Sequence, residues 1–119
     1  MEQKLFDSEL KLLELLWAEG ELSAKQLAEL CREKTGWSKT TTYTVIKKCI
    51  DKGVIARREP GFFCRPLVTR EEAQQFETAE LIDRLFDGSA DRLVASLLGG
   101  RKLAAQEIRR LRELVDQLE

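Results

Sequence analysis

At 119 residues the chain can hold one compact domain, or a small domain with a helical appendage. Its 43% hydrophobic content excludes disorder as the overall state, no apolar run approaches the ~20 residues of a membrane span, and histidine, the commonest general base and metal ligand, is absent. The formal net charge of −1 conceals a segregated pattern: residues 37–65 carry seven Lys/Arg against two Asp/Glu, a local +5, while the segments on either side are each −3.

The N-terminal MEQKLFDSE is charged and lacks the apolar core of a secretion signal, which predicts a cytoplasmic chain with no membrane contact. Asp7 or Ser8 is placed to cap a first helix running to about Glu19, with Leu10, Leu13, Leu16 and Trp17 inward and Gly20 at its end. Glu21-Leu22-Ser23 has room for one short strand. Ser23 and Gln26 form the S-x-x-Q pattern of a capping box, opening a second helix to about Lys34 with Leu27, Leu30 and Cys31 as its inner stripe. Thr35-Gly36 break it.

Ser38 then caps a third helix that Gly53 closes, giving a candidate recognition helix over residues 38–52. On a helical wheel Thr42, Ile46, Cys49 and Ile50 share one side, and Thr40, Thr41, Thr44, Lys47 and Lys48 share the other. A face of short hydroxyls and long cations suits a groove lined with phosphates and base edges. Val54–Arg58 and Phe62–Leu67 flank the turn Glu59-Pro60-Gly61 and read as a basic hairpin. Helix, strand, helix, turn, helix and hairpin make a winged helix-turn-helix domain over residues 1–68. The fold class is therefore mainly α with a small β wing.

Residues 69–119 read as three helices. Thr69 and Glu72 form a second capping box, starting a helix through Phe86 with Ala73, Phe76, Ala79, Leu81, Ile82, Leu85 and Phe86 as its apolar set. Asp87-Gly88-Ser89 interrupts it; a short helix carries Leu93, Val94, Leu97 and Leu98; Gly99-Gly100 breaks again. The last helix spaces Ala104, Ile108, Leu111, Val115 and Leu118 alternately by four and three, a short coiled-coil-like seam. So much apolar surface after a complete small domain predicts a symmetric dimer, with Phe76, Leu81, Leu85, Leu93, Leu97, Ile108, Leu111, Val115 and Leu118 at its interface.

Three cysteines at unrelated spacings argue for reduced thiols, Cys31 and Cys49 on apolar faces and Cys64 in the hairpin. No glycine-rich phosphate loop or paired-carboxylate motif argues for an enzyme, and no metal or cofactor is expected. Two other function classes fit the same residues. One is a winged helix whose basic face docks an acidic protein; the other is a thiol- or metal-responsive regulator using Cys31, Cys49 or Cys64.

In its ordered features the chain resembles the penicillinase-repressor family (BlaI/MecI/CopY type) of winged-helix transcriptional repressors, over nearly its full length. The resemblance is carried by Glu9 through Trp17 (ELKLLELLW), Ser23 with Leu27, and Thr41, Thr42, Thr44, Val45, Ile46 and Lys48 of the third helix. It continues through Lys52-Gly53-Val54-Ile55 and the wing positions Phe62 and Pro66, with Cys64 in place of a second aromatic. It implies a homodimeric repressor on double-stranded DNA, at a dyad operator built around TACA and TGTA half-sites. Thr41 and Thr44 match positions that meet bases, and Lys48 matches one that meets phosphate. Lys39, Thr40, Tyr43 and Lys47 are assigned to DNA by helical geometry alone, and Arg57, Arg58 and Arg65 to the neighbouring minor groove or backbone. The resemblance implies a regulatory protease as a further partner; the family's Asn-Phe cleavage bond aligns with Ser96-Leu97, where neither residue agrees. Nothing after Cys64 is cysteine, so the copper-responsive branch's C-terminal cluster is missing as well.

Overall fold

The computed structural model describes residues 4–100 and 102–118, which fall into two compact units, Met1–Thr78 and Ala79–Glu119. The first unit runs α1 (Asp7–Glu19), β1 (Leu22–Ser23), α2 (Ala24–Thr35), α3 (Lys39–Lys52), β2 (Ile55–Arg58) and β3 (Phe63–Pro66), then enters α4 (Arg70–Leu85). The strands form one antiparallel sheet in the order β1-β3-β2, with Cys64 opposite Leu22 on one side and Arg57 on the other. A mainly helical chain with a small β wing is what the sequence predicts.

Capping explains where the helices start. Ser23 Oγ accepts the Gln26 N–H at 3.1 Å while Gln26 Oε1 accepts the Ser23 N–H at 3.0 Å, so both halves of the expected box are made. Ser38 Oγ accepts the Thr41 N–H at 3.1 Å, and Gly53 closes α3 at φ 78°, a left-handed conformation that disfavours a side chain. At α1 neither Asp7 nor Ser8 is the cap. Phe6 occupies that position, and Glu9 reaches back so that its Oε1 accepts the Phe6 N–H at 2.8 Å.

The inward stripe of α1 is Glu9, Leu12, Leu13 and Leu16, with Leu10 and Trp17 only half-buried. The expected stripe omitted Leu12 because the charged Glu9 breaks the apolar periodicity on that side. Leu27 and Cys31 of α2, Val45, Ile46 and Cys49 of α3, and Val54, Ile55 and Cys64 of the wing complete the core. Leu30 is half-buried, and Ala24 and Ala28 take the remaining inner positions of α2. Each fully buried Leu or Ile contributes roughly 1.5–3 kcal/mol, which makes the α1–α2–α3 junction the main source of stability. Trp17, at the rim, donates its indole N–H to the Val68 carbonyl at 2.9 Å.

The first unit runs on to Thr78, into α4. The start of α4 is the expected box, Thr69 Oγ1 accepting the Glu72 N–H and Glu72 Oε1 the Thr69 N–H, both at 3.0 Å. Ala73 is then buried in the first unit's core, and Glu77 Oε1 accepts the Leu5 N–H at 3.1 Å.

The second unit holds the end of α4, α5 (Ala90–Gly100) and α6 (Ala105–Asp116). Asp87 and Gly88, both at positive φ, end α4 where the sequence places the interruption. Gly99 and Gly100 are the last two residues of the next helix, which ends where the sequence places the break. Glycine in a helix costs about 1 kcal/mol relative to alanine but keeps its N–H and C=O, so two near an end are tolerated. The start of α6 is marked by Glu107, whose Oε1 accepts the Ala104 N–H at 3.3 Å.

Candidate nucleic-acid interface

The side of α3 that faces away from the core carries Lys39, Thr40, Thr41, Thr44, Lys47 and Lys48, all exposed, with Tyr43 half-buried among them. The opposite side is anchored by Thr42, Val45, Ile46 and Cys49. Thr42 is polar yet fully buried, and it is satisfied within the helix by donating to the Ser38 carbonyl at 3.1 Å. The anchoring fixes which hydroxyls face out. Thr44 Oγ1 donates to the Thr40 carbonyl at 3.0 Å, leaving its lone pairs outward, while Thr41 Oγ1 accepts from Ser38 Oγ at 3.0 Å. A shallow open groove follows Lys39, Thr40, Tyr43, Thr44 and Lys47.

Tyr43 ties the helix to the wing. Its ring meets Phe62 edge to face, with centroids 6.0 Å apart, and the Arg57 guanidinium lies 3.7 Å from the Phe62 centroid on the wing. The wing turn is held by Glu59, whose Oε1 accepts the Phe62 N–H at 2.8 Å. Gly61 is required there, since it has φ 99° and a Cβ would lie 2.9 Å from the Phe63 ring. The turn end of the wing is also fastened to the start of α2, the Ala24 N–H donating to the Phe62 carbonyl at 2.8 Å.

The three wing arginines are not equivalent. Arg57 is paired with Glu59 at 2.9 Å and Arg58 with Glu21, whereas Arg65 is exposed and has no ion pair among the described residues. Hydrogen bonds from Arg58 hold the Glu21 carboxyl below its ordinary range, and those from Arg57 do the same for Glu59 with help from the Phe62 N–H.

Sequence reasoning passed over Lys25 and Arg32. With Ala28 and Glu29 they form an i, i+3, i+4, i+7 stripe on α2, and with Trp37, Ser38 and Lys39 they line a cleft of about 430 Å³ beside the start of α3. The spacing was legible, but these cations lie in a segment of negative net charge.

The cysteines are all fully buried. Burial pushes the Cys49 thiol up to about 12 and Cys64 to about 11, and it raises Cys31 as well. Cys64 stands in the place of the absent wing aromatic and packs in the core. Among the described residues no three His, Cys, Asp or Glu side chains are grouped to hold a metal ion. No helix is long and apolar enough to cross a membrane.

Phe76 lies in the first unit, half-buried. In the second unit Leu81, Leu93 and Ile108 are half-buried, while Leu85, Leu97, Leu111, Val115 and Leu118 are exposed. A groove of about 540 Å³ between α5 and α6 is lined by Val94, Leu98, Ile108, Leu111 and Val115, with Arg112 and Asp116 at its edge. The Ser96-Leu97 bond lies in the middle of α5.

A family model described as penicillinase repressor matches residues 5–117. The penicillinase repressor of Bacillus licheniformis is 19% identical over 116 residues, covering 96% of this chain and 91% of that one. The methicillin resistance regulatory protein MecI of Staphylococcus aureus is 23% identical over 122 positions, covering 98% and 99%. Among solved structures, the DNA binding domain of the repressor BlaI superposes with a TM-score of 0.55 at 20% identity, over 60% of this chain and 93% of that domain. At that identity the likeness speaks for the fold.

Proposed function

This chain belongs to the penicillinase repressor family of DNA-binding transcriptional regulators, and on that premise we propose that it represses as a homodimer bound to a two-fold operator. The family is one of repressors, not enzymes. The observation that carries the reading is α3 itself: its buried side locks the helix to α1 and α2, and its exposed side offers Thr41 and Thr44 between Lys39, Lys47 and Lys48. Seated in a major groove, the threonines reach base edges while the lysines meet phosphates on either side. Tyr43, through its contact with Phe62, sets the angle at which the wing and Arg65 meet the adjacent backbone. Half-sites of the TACA and TGTA kind, related by a dyad, suit two such helices.

The dimer is supported by the second unit, which leaves Val94, Leu97 and Leu98 of α5, Leu111, Leu114 and Val115 of α6, and Leu118 just after it between 38% and 86% exposed. So many large apolar side chains on one short segment point to a partner surface. In this reading residues 1–68, with the first turns of α4, bind DNA and the remainder dimerises. Selection of bound duplexes from a random pool, followed by titration over a range of salt, tests it. A recovered dyad motif and a steep salt dependence are expected; binding to every duplex alike would overturn the reading.

A further inference from the structure

We propose that Glu21 and Glu59 restrain the wing's contribution to DNA affinity by holding two wing arginines away from phosphate until the recognition helix is seated in a matching site. The inference rests on the DNA-binding reading above and concerns residues outside the recognition helix. Arg57 Nε and Nη2 both donate to Glu59 Oε2, at 3.1 and 2.9 Å, and its guanidinium lies flat enough on Phe62 to sit 3.7 Å from the ring centroid. Arg58 Nε donates to Glu21 Oε2 at 3.2 Å and its Nη2 to Glu21 Oε1, across the intervening strand β3 and 5.2 Å from the Phe63 ring. Each arginine thus spends on a carboxylate the same forked donor set that binds a phosphate. Arg65, opposite Ala56 in the hairpin, has no such partner among the described residues.

The exchange is asymmetric between the two kinds of complex. Exposed ion pairs are weak, so a phosphate held at a fixed position can displace the carboxylate. A phosphate met in a loose, sliding complex has no fixed position and must compete with a carboxylate already in place. On random DNA the wing then engages through Arg65 alone. On a matching site, where α3 and the Tyr43–Phe62 contact fix the wing, Arg57 and Arg58 transfer to the backbone. Breaking the pairs costs the matching complex their full strength, whereas the loose complex forgoes only a weaker phosphate contact, so Glu59 and Glu21 lower both affinities, the matching one at least as much.

The test uses the full-length chain with Glu21→Gln and Glu59→Gln, singly and together, against a duplex recovered by selection and a shuffled duplex of equal composition. Glutamine keeps the shape and, at position 59, an oxygen for the Phe62 N–H. On the shuffled duplex each substitution is expected to tighten binding about two- to fivefold, the range spanned by exposed ion pairs. The logarithmic salt slope should steepen by about 0.9 for each phosphate contact recruited. The selected duplex should gain at least as much, because no pair then has to be broken there. Adding Arg57→Ala to Glu59→Gln should abolish the gain. No gain on either duplex, a gain confined to the shuffled one, or a gain that persists without Arg57 would each overturn the proposal while leaving the DNA reading intact. Wild-type protein that prefers no duplex would remove both.

Discussion

Lys52, in the last turn of α3, closes a 2.6 Å ion pair on Glu9, in the first turn of α1, around a carboxylate whose side chain is 1% exposed. The same Nζ donates to the Lys4 carbonyl at 2.9 Å and lies 4.4 Å from the Phe6 ring centroid. Glu9 Oε1 takes both Lys52 and the Phe6 N–H, and Glu9 Oε2 has no hydrogen-bond partner. The end of the DNA-facing helix is thereby fastened to the start of the chain by one buried charge. Removing one partner of such a pair leaves the other charge stranded, so Lys52→Met should cost about 3–5 kcal/mol in urea unfolding. Joining it with Glu9→Leu should return most of that loss, because an apolar pair of similar volume needs no desolvated charge. A single variant as stable as the wild type would show that Glu9 is solvated or protonated in the folded chain.

The outward hydroxyls and cations of α3 should separate by what they read. Thr44→Ala is expected to cost roughly 1–3 kcal/mol on the selected duplex and less on shuffled DNA, since a base contact is lost. Lys48→Ala should weaken both about equally and flatten the salt dependence, since a phosphate contact is lost. Equilibrium titrations on the two duplexes check this, and identical losses for both variants on both DNAs would contradict the division of roles.

Most of what positions α3 was legible because it is local. Ser23 with Gln26, Ser38 and Gly53 mark helix ends through hydrogen bonds or backbone angles made within a few residues, and the structure makes each of them. The hairpin around Glu59-Pro60-Gly61 was legible for the same reason. What escaped depends on distant partners. Glu9 reads as a surface charge until Lys52, 43 residues later, arrives beside it. Arg58 reads as a free cation until the sheet brings Glu21 across β3, 37 residues earlier in the chain.

Burial of the thiols gives a pH signature whose sign is fixed. Cys49 and Cys64 ionise near 9 when exposed, but the fold holds them at about 12 and about 11. The unfolded chain therefore loses protons first as pH rises, and stability should fall from about pH 9 upward, fully present below it. The drop should flatten once the folded thiols titrate. Urea midpoints between pH 7.5 and 10.5, compared with a Cys49→Ala variant, measure this share. At pH 8 a thiol reagent should label the native chain slowly and all three cysteines rapidly in denaturant; fast native labelling would show the thiols to be accessible.

The second unit makes the strongest demand on assembly. On α6, Leu111, Leu114 and Val115 are 38%, 46% and 63% exposed, Leu118 just beyond its end is 86% exposed, and Leu111 also lines the groove against α5. Leu114 falls outside the seam read from the sequence, and it widens the apolar face rather than moving it. Burying several such side chains across a two-fold axis contributes roughly 1.5–3 kcal/mol each. Leu111→Glu would place a carboxylate in that apolar contact and desolvate it on association. The variant should sediment as a monomer at micromolar concentration. Its affinity for a dyad operator should fall by about 10²–10⁴, as two linked half-site contacts become independent. Its affinity for a single half-site should be unchanged, because the first unit, with α3 and the wing, is untouched. A Leu111→Glu chain that stays dimeric and binds the dyad normally would place the interface elsewhere on the molecule.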